Sequence, residues 1–472
     1  MLPKKTKVIA TLGPATSSTA TIERLIKSGM NVARLNLSHG SLDEHADRII
    51  TVRRLSQRLA TPVAILIDLP GPKYRTGTVH GGSVMLKRGA ELVLTTREVE
   101  GDGRIVSVNF PSFPRDVKVG NTVLLDDGAM QLKVINVSED EVKCRVTVGG
   151  RLIDRRGIAV PGMHHSGPFI TETLVEHIDF AIEQKPDYVA LSFVSCAEDI
   201  EQTRAILQQK GTGIPIIAKI ERGQAVANFD SILDASDGIM VARGDLGVDI
   251  PLQKIPLVQK EIISKCNQAG KPVITATQML ESMVESARPT RAEVTDVANA
   301  ILDGSDAIML SGETAVGKHP APAVRMMVLI AKETERHLPY ESWLRERRTW
   351  LEAETDEMIS YNACQTAHQL DAAAIVAFTR SGSTARRVSK YRPRVPILAL
   401  TPDRAVLGQL LLCWGVQPQE ADEPSTVDGL FALAVKHCRE SRLAKPGDLI
   451  VITGGIPLGI SGTTNLLKVE KV

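Results

Sequence analysis

Eight short apolar runs, most of them followed by an amphipathic stretch, constrain this chain more than any other feature. They are KVIATLG (7–13), NVARLNL (31–37), VAILIDL (63–69), YVALSFV (188–194), IPIIAKIE (214–221), GIMVARGD (238–245), PVITATQ (272–278) and AIMLSGE (307–313). Stretches such as SSTATIERLIKSG and AEDIEQTRAILQQKG lie between them. A strand covered on both faces by helices reads as a continuous aliphatic run rather than as an alternation. Eight strand–helix units in one chain predict a (β/α)8 TIM barrel, an α/β fold. Aromatic residues are only 3% of the chain against 43% hydrophobic, so the cores are aliphatic.

The repeat breaks once. Between the third and fourth runs, GSVMLKRGAELVLTT, GNTVLLDDGAMQLKVINV and DEVKCRVTVGGRLID alternate and carry turn pairs such as DDG and GG. They predict a small antiparallel β domain, a small β-barrel, inserted at about 70–168. The barrel is then 1–69 and 169–340. After about 340 a charged helical stretch leads to AAAIVAFT, VPILALT and DLIVITG, alternating with helices. This predicts a C-terminal α/β domain over 341–472.

Several function classes are excluded by bulk properties. A net charge of +1 argues against a nucleic-acid partner or a membrane-surface protein. Six cysteines include no CxxC and no close pair, which fits a reducing cytoplasm rather than a disulfide scaffold or zinc site. The opening MLPKKTKVIATLGPATSS has its apolar run broken by Gly13-Pro14 and does not read as a signal peptide. No apolar run is long enough to span a bilayer.

In a barrel of this kind the chemistry sits at the C-terminal ends of the strands. The polar residues ending the runs are Thr11; Arg34, Asn36 and Ser38; Asp68; Ser192; Lys219 and Glu221; Arg243 and Asp245; Thr275 and Thr277; Ser311 and Glu313. A polar residue ending a strand is more often a cap or a solvated group than a catalyst. Lys219 and Glu221 resist that reading, because charges inside the apolar run IIAKIE are costly unless paired. Two apart on one strand, they point the same way. Glu221 and Asp245, on adjacent strands, could share one hard divalent cation.

The runs ARLNLSHG (33–40), AKIERGQAV (218–226), MVARGDLGVDI (240–250), ITATQMLESM (274–283) and RPTRAEVTDVANAILDGSDAIMLSGETAVGKHP (288–320), with DLPGPKYRTG (68–77), resemble the pyruvate kinases. The resemblance covers the whole chain. It implies Mg²⁺-dependent phosphoryl transfer from phosphoenolpyruvate to ADP, giving pyruvate and ATP, with Mn²⁺ able to substitute. It also implies a mobile inserted lid and a homotetramer. Carried onto matching positions, Glu221 and Asp245 hold the metal, Lys219 lies against the phosphoryl group and Arg34 contacts the phosphate. Thr277 sits by the methylene carbon, and the amides around Gly244 and Asp245 cradle the carboxylate. Asn36, His39, Arg75 and Arg156 look like nucleotide-side groups. Arg156 and Pro70 stand where many members have lysine.

Asn36, Ser38, Asp68 and Leu69 match the family's monovalent-cation site. The pair Leu69 and Lys73 resembles members that do not require K⁺. The physical expectation is that the Lys73 ammonium balances the Asp68 carboxylate. In the C-terminal domain, AFTRSGSTARRVSKYRP (377–393) places hydroxyls and amides at a helix start, an anion site. It resembles the family's effector-phosphate loop, with Thr379, Ser381, Ser383 and Thr384, and SGTTN (461–465), with Thr463, resembles the partner loop. One phosphate nest and no second arginine cluster predict a sugar monophosphate or AMP as effector. Two other readings stand beside this one. A metal-dependent aldolase or lyase of small oxo acids would not need the inserted β domain or Arg75. A non-catalytic sugar-phosphate sensor would have lost Lys219, Glu221 or Asp245, and all three are present.

Overall fold

A computed structural model describes residues 4–163, 166–458 and 462–472. All eight apolar runs are strands. They are β1 (Lys7–Leu12), β2 (Val32–Asn36), β3 (Ala64–Leu69) and, beyond the insertion, β12 (Tyr188–Leu191), β13 (Ile216–Ile220), β14 (Gly238–Ala242), β15 (Val273–Ala276) and β16 (Ala307–Leu310). They close into a parallel barrel in the order β1-β16-β15-β14-β13-β12-β3-β2.

The two-residue period of each strand divides its side chains between two cores. Ile9, Val32, Leu66, Tyr188, Ile217, Met240, Ile274 and Met309 fill the barrel interior, where Leu411 and Leu412 of the C-terminal region join them. Val8, Ala33, Ile65, Val189, Ile216, Ile239 and Ile308 pack instead with the surrounding helices. Stepping two residues on from Ile9, Val32, Leu66 and Ile217 gives Thr11, Arg34, Asp68 and Lys219, and stepping four on from Tyr188 gives Ser192. The inward register thus carries polar groups to the mouth of the barrel. Helices begin on side-chain caps that satisfy their free amides, as at Ser18, Ser41, Thr171 and the Thr290–Glu293 capping box.

The insertion carries β4 (Ser83–Leu86), β5 (Glu91–Thr95), β6 (Ile105–Ser107), β7 (Thr122–Leu125), β8 (Met130–Val137), β9 (Glu141–Val148), β10 (Gly150–Ile153) and β11 (Ile158–Ala159). Six form a sheet in the order β11-β7-β8-β9-β5-β6, and β4 pairs with β10. The pairs are antiparallel as the alternation predicts, except β5–β6, which is parallel. A separate core containing Leu92, Val123, Leu132 and Val146 holds this sheet together.

The C-terminal sheet orders β17 (Ala374–Phe378), β18 (Ile397–Thr401), β19 (Val416–Glu420), β20 (Leu449–Gly455) and β21 (Thr464–Lys471) as β19-β18-β17-β20-β21, with only β21 antiparallel. β19, VQPQE, does not read as a strand in sequence. It is an edge strand whose Val416 and Pro418 alone are buried, a place where proline is tolerated. This domain is locked to the barrel by Arg392, which grips Asp306 at 2.8 and 2.9 Å, while Trp414 N donates to the same carboxylate at 3.1 Å.

Candidate active site

At the barrel mouth the chain buries a charge network. Asp68 is wholly buried at the end of β3. Arg34 donates to its Oδ2 from Nε at 2.8 Å and from Nη2 at 2.7 Å. Ser192 Oγ donates to Oδ1 at 3.1 Å, and Lys219 Nζ reaches Oδ1 at 3.2 Å. Lys219 also donates to Ser192 Oγ at 2.8 Å and to Glu221 Oε1 at 2.9 Å. Thr11 Oγ1 accepts from Arg34 Nη1 at 2.9 Å and donates to Leu310 O at 2.8 Å. Neighbouring strand ends thus hold each other's charges.

The electrostatics follow from burial against pairing. Burial raises a carboxyl's pKa, but Lys219 and Arg34 outweigh it at Asp68, which is held below its ordinary value. Burial alone would lower Lys219, yet Asp68 and Glu221 hold it above the usual lysine value, so it is a fixed cation. Glu221 is pushed up by burial; Lys219 opposes that and the nearby Asp245 charge reinforces it. Its Oε2 accepts Phe193 N at 2.7 Å.

Asp245 lies in the first turn of the helix Arg243–Asp249, directly after β14. Among the described residues no three His, Cys, Asp or Glu side chains form a metal cluster. Glu221 and Asp245 are two hard oxygen donors, which suits Mg²⁺, an ion that uses one or two carboxylates and completes its shell with waters and substrate oxygens. The like-charge effect of Asp245 on Glu221 is what a divalent cation there would relieve.

Thr277 has φ +69°, rare for a β-branched residue and a mark of strain held by its surroundings. Its Oγ1 accepts Gly244 N at 2.7 Å and donates to Ala276 O at 2.6 Å, and Arg243 Nη2 donates to its carbonyl at 2.8 Å. The Gly244 amide, expected to serve a substrate carboxylate, is here engaged by Thr277.

Lys73 corrects the expectation made for it. Its Nζ lies 2.8 Å from Asp245 Oδ1 and 3.9 Å from Asp127 Oδ1, and the charge of Asp68 is balanced by Arg34 and Lys219 instead. The strand end places Asp68 inside the barrel, whereas the turn after it carries Lys73 toward the insertion. Leu69 is fully buried in β3, and its carbonyl accepts Ser192 N at 3.4 Å. Asn36 faces Asp68 in the β2–β3 register, its Oδ1 accepting Ser38 N at 3.2 Å.

The residues expected on the nucleotide side are spread more widely. His39 is pushed down by desolvation and then by Arg75, Arg34 and Lys73, so these groups form one electropositive flank. Its carbonyl accepts His45 Nε2 at 2.7 Å. Arg75 Nη1 donates to Arg155 O at 3.4 Å, and Arg156 Nη1 pairs with Asp126 at 3.2 Å, both inside the insertion. Arg156 therefore points to its own sheet in this conformation.

Arg222 and Phe193 carried no signal of their own in sequence. Arg222 donates to Pro72 O at 2.9 Å and stacks 4.9 Å from the Phe193 ring, tying the entry to the insertion onto the barrel.

The residues expected to form an anion site in the C-terminal domain lie around the start of one helix. Gly382, at φ +83°, turns the chain into the helix Ser383–Lys390. Ser381 Oγ donates to Ser383 Oγ at 3.1 Å, and Thr384 and Thr464 hydroxyls meet at 2.8 Å. Thr379 Oγ1 is buried without a hydrogen-bond partner. Thr463 directly precedes β21; Ser461 of that stretch lies outside the described residues. A cleft beside Thr379 and Arg380 is lined also by Asp422 and Glu423.

Comparison with known proteins agrees along the whole chain. A family model described as "Pyruvate kinase, barrel domain" matches residues 3–324, and "Pyruvate kinase, alpha/beta domain" matches 357–470. A pyruvate kinase of Staphylococcus aureus (strain MRSA252) is 46% identical over 99% of this chain and 80% of its own. One of Geobacillus stearothermophilus is 47% identical over 100% of this chain and 81% of its own. The crystal structure of a pyruvate kinase from Cryptosporidium parvum superposes with a TM-score of 0.94 at 38% identity, covering 99% of this chain and 96% of that one.

Proposed function

The chain belongs to the pyruvate kinase family, phosphotransferases that make pyruvate and ATP from phosphoenolpyruvate and ADP, and on that premise we propose that its transfer is Mg²⁺-dependent and runs at the Asp68–Lys219–Glu221–Asp245 mouth. The observation that carries this is Lys219, a buried ammonium kept charged by two carboxylates. Phosphoryl transfer asks a protein for positioning and for positive charge where charge spreads in the transition state. Lys219 and Arg34 supply it from fixed positions, so neither has to reorganise during the step. Glu221 and Asp245 would hold the Mg²⁺, which when bound neutralises substrate oxygens and the enolate. Thr277, strained and tied to Gly244, lines the substrate face. His39, Arg75 and Arg156 bind the nucleotide, and closure of the inserted sheet excludes water.

The enzyme works without K⁺. That rests on the likeness of the pair Leu69 and Lys73 to K⁺-independent members, not on charge balance at Asp68. It is a cytoplasmic enzyme, as its six unpaired cysteines support. It is a homotetramer: Leu252 and Leu257, 70% and 71% exposed on one stretch of the barrel, are apolar surface that a neighbouring subunit would cover. A phosphorylated metabolite activates it through the 379–384 loop.

Mixing the protein with Mg²⁺, ADP and phosphoenolpyruvate tests the central assignment. ATP should form, and formation should stop with EDTA and return with Mg²⁺ or Mn²⁺. A folded protein that makes ATP undiminished in excess EDTA removes the metal from this site.

A further inference from the structure

Lys73 stands on the one carboxylate of the candidate metal pair that is open to solvent. Its Nζ is 2.8 Å from Asp245 Oδ1, with side chains 24% and 32% exposed. The other carboxylate, Glu221, is almost wholly buried and engaged by Lys219 and Phe193 N. The stem of Lys73 lies against the insertion: a Cβ added at Gly157 would stand 3.0 Å from its Cε. Asp127, also of the insertion, is the second acid near its ammonium, and the Phe193 ring lies 5.4 Å away. One lysine therefore joins the barrel's accessible metal carboxylate to the inserted sheet.

We propose that Lys73 is a tethered counter-ion that occupies Asp245 when no divalent cation is present and must give it up when one binds. Lys73 is then a positioning residue. It lowers the free enzyme's affinity for the metal and leaves Asp127 and Gly157 as its neighbours in the insertion, which couples metal entry to the seat of the insertion. The physical basis is competition: an ammonium and a divalent cation repel each other at one carboxylate, and the half-exposed site screens that repulsion without abolishing it. This rests on Glu221 and Asp245 being the metal pair.

The test is Mn²⁺ binding to the substrate-free enzyme, read by electron paramagnetic resonance of free Mn²⁺. Lys73→Met should tighten the Kd by about tenfold, and Lys73→Arg should stay near the unmodified value because the charge remains. A folded Lys73→Met protein with an unchanged or weaker Kd overturns the proposal. Asp245→Asn measured alongside separates the two failures. If it abolishes binding while Lys73→Met changes nothing, the metal pair stands and the lysine's role falls. The unmodified enzyme gives a second readout, needing no variant: Mn²⁺ should increase the rate of reductive methylation at Lys73, followed by mass spectrometry. An unchanged or slower rate also overturns it.

Discussion

Lys219 Nζ lies 3.2 Å from Asp68 Oδ1 and 2.9 Å from Glu221 Oε1, so one ammonium links the buried carboxylate at the end of β3 to the one proposed to hold the metal. Asp68 does not depend on Lys219 alone, because Arg34 grips its other oxygen and Ser192 its near one. Lys219→Met should therefore fold. Losing one transition-state donor costs about 10²–10³ in turnover even when it is neutral, and an ammonium beside the migrating group should cost more. Turnover should fall by several powers of ten with phosphoenolpyruvate binding largely kept. Steady-state kinetics with a thermal melt as control decide it; near-normal turnover in the folded variant takes Lys219 out of the mechanism.

The barrel was legible because strands such as AILIDL are buried on both faces and leave an unbroken aliphatic signature. The mouth was legible because a strand's period of two puts Lys219 and Glu221 on one side. The contact of Lys73 with Asp245 was not, since it joins the entry of the insertion to a helix 172 residues away. Charge balance predicted that Lys73 would have an acid partner but chose the wrong one. Asp68 was already satisfied by Arg34 and Lys219 across the barrel interior. The positive φ of Phe193 (+59°) and Thr277 (+69°) has no local signal either, because neither residue type favours it and the surroundings impose it.

Independence from K⁺ is tested in buffers of tetramethylammonium or Tris. Activity should be full there. A gain of about tenfold or more on adding about 100 mM KCl at matched ionic strength contradicts it. Lys73→Glu combined with Leu69→Thr should make activity depend on added K⁺.

Asp187 offers a pH-dependent stability test away from the catalytic mouth. Its Oδ2 accepts Ile65 N at 2.7 Å, and a Cβ added at Gly408 would stand 1.7 Å from its Oδ1. Burial pushes its pKa up to about 6. The folded value lies above the ordinary 3.8, so the folded state binds this proton more tightly than the unfolded one. The ionised form is thus a cost, present above about pH 6 and relieved as pH falls toward 3.8. Asp187→Asn keeps the shape and removes the cost. It should stabilise by ~1–2 kcal/mol at neutral pH, partial exposure trimming the full effect. The gain should shrink as pH is lowered through 6. Paired thermal melts across that range check it; a gain that grows on acidification refutes the sign.

The effector should carry one phosphate. The loop Thr379–Thr384 gathers hydroxyls at the start of the helix Ser383–Lys390, and the buried, unpartnered Thr379 Oγ1 is a donor waiting for an acceptor. The adjoining cleft is lined by Asp422 and Glu423, with Glu423 standing 4.0 Å from Arg380. Two carboxylates there repel a second phosphate and suit the hydroxyls of a sugar. Glucose 6-phosphate, ribose 5-phosphate or AMP should therefore lower the phosphoenolpyruvate concentration needed for half-maximal rate more than fructose 1,6-bisphosphate does. Thr384→Ala should weaken that response without changing the rate at saturating phosphoenolpyruvate, because its contacts lie in the C-terminal domain. Titrations at limiting phosphoenolpyruvate make the comparison, and a clearly stronger response to the bisphosphate would show that the acidic wall does not select against it.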